Sequence, residues 1–299
     1  MGAFFMGRSG AGGEKLFWSF KRRRKMGIKT LKDNKRAELN KKLNRILTEE
    51  LKNEESMRKL LAHYRIVGLY TYSLFNTMLI KAQGGTIAQS FTRWKKLNRH
   101  VKKGEKAYIY VYVPITVKEE IIIKDEEGNE TIEEVEKVKF LLKPVFDISQ
   151  TEGEPLKYEH NTEEAYKSNL EYNKLKEIIE KKTGLKVAET PIKARGCLLP
   201  GMIQVSEFSN ETDKVRTLIH ETAHYLLGHL EDERPREILE IEAEASAFLV
   251  LEYFNFPAEL SGAYVEHWKE LTDNERIKEV RKGKILKVAD KIIRMVKDG

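Results

Sequence analysis

Two histidines four residues apart, with a glutamate directly after the first, constrain this chain more than any other feature it carries. His220-Glu221-Thr222-Ala223-His224 sits in a stretch, Val215 to Leu227, whose composition and apolar spacing are helical. Four residues is about one turn, so both imidazoles stand on one helix face and can grip one cation. Glu221 points toward the same cleft, placed to take a proton from water and pass it to a leaving amine. Ser209-Asn210 supplies an N-cap for a helix expected from about Glu211 to Gly228, and Leu218, Ala223, Leu226 and Leu227 bury its back. The plainer alternative is two surface histidines on an ordinary helix. The cap, the helix and the buried back together favour the metal.

Two histidines alone leave a zinc ion underfilled. The next helix, expected from about Glu233 to Phe254, offers Glu237, Glu240, Glu242 and Glu244. Of these, 237, 240 and 244 share a face. Glu244 is taken as the third ligand of a Zn2+ ion, with Glu240 as its support or substitute. Ala243, Ala245 and Ala247 let that helix approach closely. The bland reading is that most of these glutamates are solvated.

Charge divides the chain. Residues 1–110 hold 26 Lys and Arg against 8 Asp and Glu, whereas the remainder is net acidic by 11. Two modules with different partners would produce this, the basic one facing nucleic acid. A solvated basic face plus a basic tail would also produce it. One cysteine, Cys197, excludes an intrachain disulfide and a cysteine-based zinc knuckle and fits a reducing, cytoplasmic setting. No apolar run reaches the ~20 residues of a membrane span. The start lacks the layout of a signal peptide or a myristoylation site. Residues 1–30 are expected to form a disordered basic tail.

Along the chain, a helix is expected from Leu31 to about Arg65 and another from Tyr72 to Gln83, stopped by Gly84-Gly85. Phe91–Asn98 is a short helix or turn. Ala107–Val113 is a strand ending at Pro114. Ile121–Ile123 and Val135–Leu142 flank a hairpin turn at Gly128-Asn129, and Pro144–Ile148 is a last strand. Ser149–Asn161 is polar and turn-rich, a linker. After it come a helix from about Thr162 to Thr183, a strand at Leu185–Glu189, a hairpin-like stretch over 196–205, the two helices above, and amphipathic helices to Val296.

A second signal lies in the basic half. Tyr72, Asn76, Phe91, Arg93, Trp94, Lys95, Lys96, Arg99, Lys102, Lys103 and Lys106 interleave aromatic and basic side chains, and Tyr108, Tyr110 and Tyr112 follow. Single-stranded nucleic acid is bound by that combination, with cations along the phosphates and rings under the bases. The bland reading is that Trp94 and Phe91 are core residues and the tyrosines alternate around a solvated strand.

Val215 to His224, followed by Glu244-Ala245-Ser246-Ala247-Phe248, resembles the ImmA/IrrE-type metallopeptidases of mobile genetic elements over roughly Pro191 to Phe256. The resemblance implies that Glu244 is the third zinc ligand. It also makes Tyr264 a candidate oxyanion stabiliser, against the plainer reading of a core or surface tyrosine. Asn76 to Gln83, Phe91-Thr92-Arg93-Trp94-Lys95-Lys96, His100 to Ala107 and Pro144 to Thr151 are similar to the N-terminal domain of ArdC-type antirestriction proteins over about Arg36 to Thr151. That family joins a single-stranded-DNA-binding domain to a metallopeptidase domain in this order. The chain departs from the pattern in the insertion Lys118 to Lys137 and in the basic extension.

The expectation is therefore a two-domain α+β protein. Residues 31–151 form a DNA-binding module, 152–161 a linker, and 162–299 a mainly helical, zincin-like metallopeptidase domain with a small sheet. Its partners would be single-stranded DNA and a protein or peptide substrate. It would be a zinc-dependent peptidase in antirestriction or regulator cleavage, or else a non-proteolytic DNA-binding antirestriction protein with a structural or silent metal site.

Overall fold

In the computed structural model, residues 34–68, 72–124, 130–156 and 170–299 are described. The expected tail, the hairpin turn at Gly128-Asn129 and residues 157–161 of the expected linker lie outside them. The chain falls into two units, Met1–Lys42 and Leu43–Gly299. The described part of the first, residues 34–42, is helical.

The second unit opens with residues 43–50, the end of helix α1 (34–50), and α2 (Glu54–Gly68) follows. Leu43, Leu47, Leu51, Met57, Leu60 and Leu61 are all buried there, at helical spacing. Helix α3 (Leu74–Ala82) starts at Ser73, whose hydroxyl accepts from the Asn76 N–H at 3.2 Å. The short β1 (Ala88–Gln89), α4 (Phe91–Lys96) and β2 (Arg99–Val101) come next.

Strands β3 (Ile109–Lys124) and β4 (Glu130–Asp147) pair antiparallel from Ile109↔Val145 to Lys124↔Glu130. The sequence broke this ribbon into separate strands at Pro114 and Pro144, and both prolines lie inside it. The reason is register. Asn76 and Gln83 of the α3 region grip the free edge of β3: Tyr112 N–H donates to Asn76 Oδ1 at 2.9 Å, and Tyr110 N–H donates to Gln83 Oε1 at 2.9 Å. Their own amides donate to the Tyr112 and Tyr110 carbonyls, each at 2.8 Å. Tyr110 and Tyr112 thus turn their backbone groups away from β4. Pro144, opposite Tyr110, and Pro114, opposite Phe140, share that parity. They stand where the ladder needs no N–H.

The end of β4 is locked by Asp147. Its carboxylate accepts from Thr86 N–H at 2.7 Å and Ser149 N–H at 3.0 Å. Gln150 completes a capping box with it. β5 (Thr151–Gly153) then pairs with β2.

After residue 170, α5 (Tyr172–Thr183) leads into a three-stranded sheet of β6 (Lys186–Thr190), β7 (Gly196–Leu199) and β8 (Met202–Ser206). The order is β6-β8-β7, with β6 and β8 parallel and β7 an antiparallel edge. Helix α6 (Glu211–Leu227) packs on β7 and β8. α7 (Arg236–Tyr253) packs on α6, while α8 (Gly262–Asp273) and α9 (Lys282–Lys297) close around α7. Ala243, Ala245 and Ala247 of α7 are buried, as close helix packing requires.

The stretch around residues 152–161 does not separate two cores. α2 packs on α7 and α3 on α9. Buried Asp290 of α9 accepts from the Tyr64 hydroxyl at 2.8 Å, and Arg58 pairs with Glu252 at 2.9 Å. Among the described residues no helix is long and apolar enough to cross a membrane.

Candidate metal centre and basic surface

Helix α6 forms where the caps demand it. The Asn210 side chain accepts from Asp213 N–H at 2.9 Å, and Gly228 ends the helix in the left-handed conformation, φ 72°. Between these ends His220 and His224 point the same way, with Nε2 atoms 3.0 Å apart. Oε2 of Glu240, from α7, lies 3.4 Å from each. Its other oxygen accepts from Arg236 at 3.3 Å. Three donors of a tetrahedral zinc, each ~2.05 Å from the ion, stand about 3.3 Å apart. Two neutral imidazoles and a carboxylate at this spacing therefore fit a divalent cation.

Glu240, not Glu244, is the carboxylate grouped with the imidazoles. The Glu244 carboxylate is turned toward α8, where it accepts from the Ser261 hydroxyl at 2.9 Å and from the Ser261 N–H. Ser261 is the N-cap of α8, so Glu244 serves a helix terminus. Tyr264 is likewise in the core, stacked on Trp268 with its hydroxyl donating to the Leu51 carbonyl at 2.5 Å.

Glu221 is buried, and burial pushes its carboxyl above the ordinary range despite His220 and a hydrogen bond from the Leu198 backbone. The two histidines beside it hold Glu240 far below the usual carboxylate range. The group lines a cleft of about 770 Å³ that also reaches Arg195, Cys197, Arg216 and Phe248. Gly196 lets β7 reach this wall: a Cβ there would meet Thr217 at 2.3 Å and Glu221 at 3.3 Å.

Behind the imidazoles lies a network that helical spacing did not reveal. His224 Nδ1 is 2.7 Å from Nδ1 of His229, whose Nε2 is 3.2 Å from Glu242 Oε2. The fully buried Glu242 also accepts from Arg234 at 2.9 and 3.0 Å and from Arg281 at 2.7 Å. Although burial opposes it, these donors hold Glu242 far below its ordinary pKa.

The interleaved basic and aromatic residues sort into two sets. Trp94 is fully buried, its indole N–H donating to the Phe146 carbonyl at 2.8 Å. Asn76 holds the edge of β3. Tyr72 packs against the cluster of Ile80, Ile109 and Val145, and burial pushes its hydroxyl up to about 12. Arg99 is bound into β5 through Thr151 Oγ1 at 2.9 Å and the carbonyls of Thr151, Gly153 and Glu154. These four build the fold, and Arg93 is half-buried. Phe91, Lys95, Lys96, Lys102, Lys103 and Lys106 are exposed on α4 and the loop after β2, together with Tyr108. Lys95 Nζ lies 5.1 Å from the Phe91 ring centre. Lys102 donates to the Ser149 carbonyl at 2.9 Å.

Residues 37–146 match the family of the N-terminal domain of anti-restriction factor ArdC. No curated protein matches the chain. It is similar to two crystal structures of the antirestriction ArdC protein from the R388 plasmid. The metal-free one is 20% identical, covers 76% of this chain and 86% of that one, and has a TM-score of 0.39. The Mn(II)-bound one is 19% identical, covers 76% and 84%, and has a TM-score of 0.40.

Proposed function

We propose that this chain is an ArdC-like antirestriction protein of a mobile genetic element, acting in the cytoplasm, which binds single-stranded DNA through its basic corner and holds one divalent cation between α6 and α7. The match of residues 37–146 to the ArdC N-terminal domain carries this reading. The exposed lysines of α4 and of the loop after β2 supply phosphate contacts, and Phe91 and Tyr108 supply faces for bases. His220, His224 and Glu240 hold the cation. Their donor set suits Zn2+ and also accepts Mn2+ or Fe2+. The test is fluorescence anisotropy with a labelled single strand and the matching duplex over a salt series. Tighter, salt-sensitive binding to the single strand is expected. Equal affinity for both forms would reject the single-strand preference.

A second reading, peptide hydrolysis, is favoured by one observation: Glu221 lies in the cleft beside the three ligand atoms. A bound cation would supply Lewis acidity toward a carbonyl. Glu221 would accept the proton of the attacking water and deliver it to the departing amine nitrogen. Glu221→Gln keeps the shape and removes the base. Loss of antirestriction in cells by this variant, with DNA and metal binding intact, would favour hydrolysis. Full antirestriction would leave binding as the activity.

A further inference from the structure

We infer that His229 is a positioning residue that fixes the tautomer of His224 and so keeps its Nε2 lone pair aimed at the cation. This rests on the metal-binding reading above.

Glu242 accepts the Arg234 and Arg281 guanidinium groups, and an ionised carboxylate can only accept. The His229 nitrogen facing it, Nε2 at 3.2 Å, must therefore carry its proton. Two ring nitrogens 2.7 Å apart cannot both carry hydrogens, so one Nδ1 donates and the other accepts. A cation on His224 needs its Nε2 free of hydrogen, which puts the His224 proton on Nδ1 and makes His229 Nδ1 the acceptor. With that proton placed, His224 Nε2 is bare, and it is the atom facing His220 Nε2 at 3.0 Å and Glu240 Oε2 at 3.4 Å. The opposite tautomer would put a hydrogen where the cation belongs.

The backbone makes this contact. A helix continued past Leu227 would carry residue 229 to a different azimuth from 224. Gly228 at φ 72° turns the chain into a short 3-10 turn over His229–Glu231, which returns the ring against His224. A metal-bound histidine whose other nitrogen donates to a fixed acceptor is a recurrent arrangement, and loss of the acceptor weakens binding. Here the acceptor is another imidazole, itself set by a buried carboxylate.

The test uses full-length protein in two arms. In metal-free protein labelled with 15N-histidine, long-range 1H–15N correlation spectra, with His224 assigned by its loss in His224→Ala, should show the Nδ1–H form. An Nε2–H form would overturn the proposal. In the second arm, Zn2+ affinity is measured by chelator competition. His229→Ala should bind about 10- to 100-fold more weakly. His229→Gln, whose amide oxygen can accept while its nitrogen donates to Glu242, should recover most of that loss. Wild-type affinity in His229→Ala would overturn the inference. If the wild type binds no Zn2+, the metal reading falls, and the tautomer spectrum still decides the role of His229. If His229→Ala fails to fold, the wild-type spectrum and His229→Gln decide.

Discussion

Helices α6 and α7 and the α4–β2 corner both gather charged and ring-bearing side chains, and they use them differently. In the helix pair the polar atoms are held by one another: His220, His224 and Glu240 face a single point, and His229, Glu242, Arg234 and Arg281 brace them from behind. In the corner the cations stand in water and the rings are divided between core and surface. Buried polar groups must find partners, so their geometry is specified closely. Exposed lysines need only be near one another, which suits a ligand with a repeating charged backbone.

The largest effect should come from separating the two candidate carboxylates. Glu240→Ala is expected to lose stoichiometric metal, read by elemental analysis, whereas Glu244→Ala should keep it and lose about 1 kcal/mol of stability through the α8 terminus. The reverse result would return the ligand role to Glu244. Next, Trp94→Ala should cost about 3–5 kcal/mol in denaturant unfolding. Phe91→Ala should leave stability nearly unchanged and weaken single-strand binding by about 1–3 kcal/mol. Equal stability losses would erase the division of rings between core and surface.

Lys282 sharpens the contrast between buried and exposed cations. Burial lowers its pKa to about 8, and its ammonium donates to the Ile277 carbonyl at 2.5 Å. From pH 8 to about 10.4 the unfolded chain binds a proton that the folded chain has released, so stability rises through that window. Lys282→Met should flatten this rise, by up to about 3 kcal/mol, when the two proteins are unfolded in parallel at several pH values. An unchanged slope would place Lys282 in water. Smallest, replacing Lys95, Lys96 or Lys103 by Ala should each lower the salt dependence of single-strand binding by about 0.7 in log–log slope, without loss of stability.

Helix α6 was legible because its signals are local: Asn210, the apolar spacing and Gly228 set its ends and its histidine face. The carboxylate grouped with the two histidines was not. Glu240 and Glu244 are one turn apart on the same face, and what distinguishes them is that Ser261, seventeen residues beyond Glu244, captures that carboxylate. His229 escaped because it follows the helix end, where periodicity stops. Trp94 and Arg99 read as ligand-facing because interleaving records residue type and not direction. The β3–β4 ribbon was split because a proline usually ends a strand, and only the pairing with α3 shows that positions 114 and 144 need no ladder bond.

The ribbon has a consequence for solubility. Sixteen antiparallel rungs at ~3.4 Å make an arm of roughly 50 Å. Ile122, Ile132, Val138 and Phe140 are exposed on one of its faces. The side-chain amides of Asn76 and Gln83 cover the β3 edge only at Tyr110 and Tyr112. Farther out, Lys118 pairs with Glu134 on the same face as these apolar residues, and Lys137 and Lys139 pair with Glu119 on the opposite face. Such charges act as gatekeepers against strand addition from a second chain. Neutralising them together would turn the outer ribbon into a template for aggregation while leaving the packing around Trp94 and the buried charges around Glu242 intact.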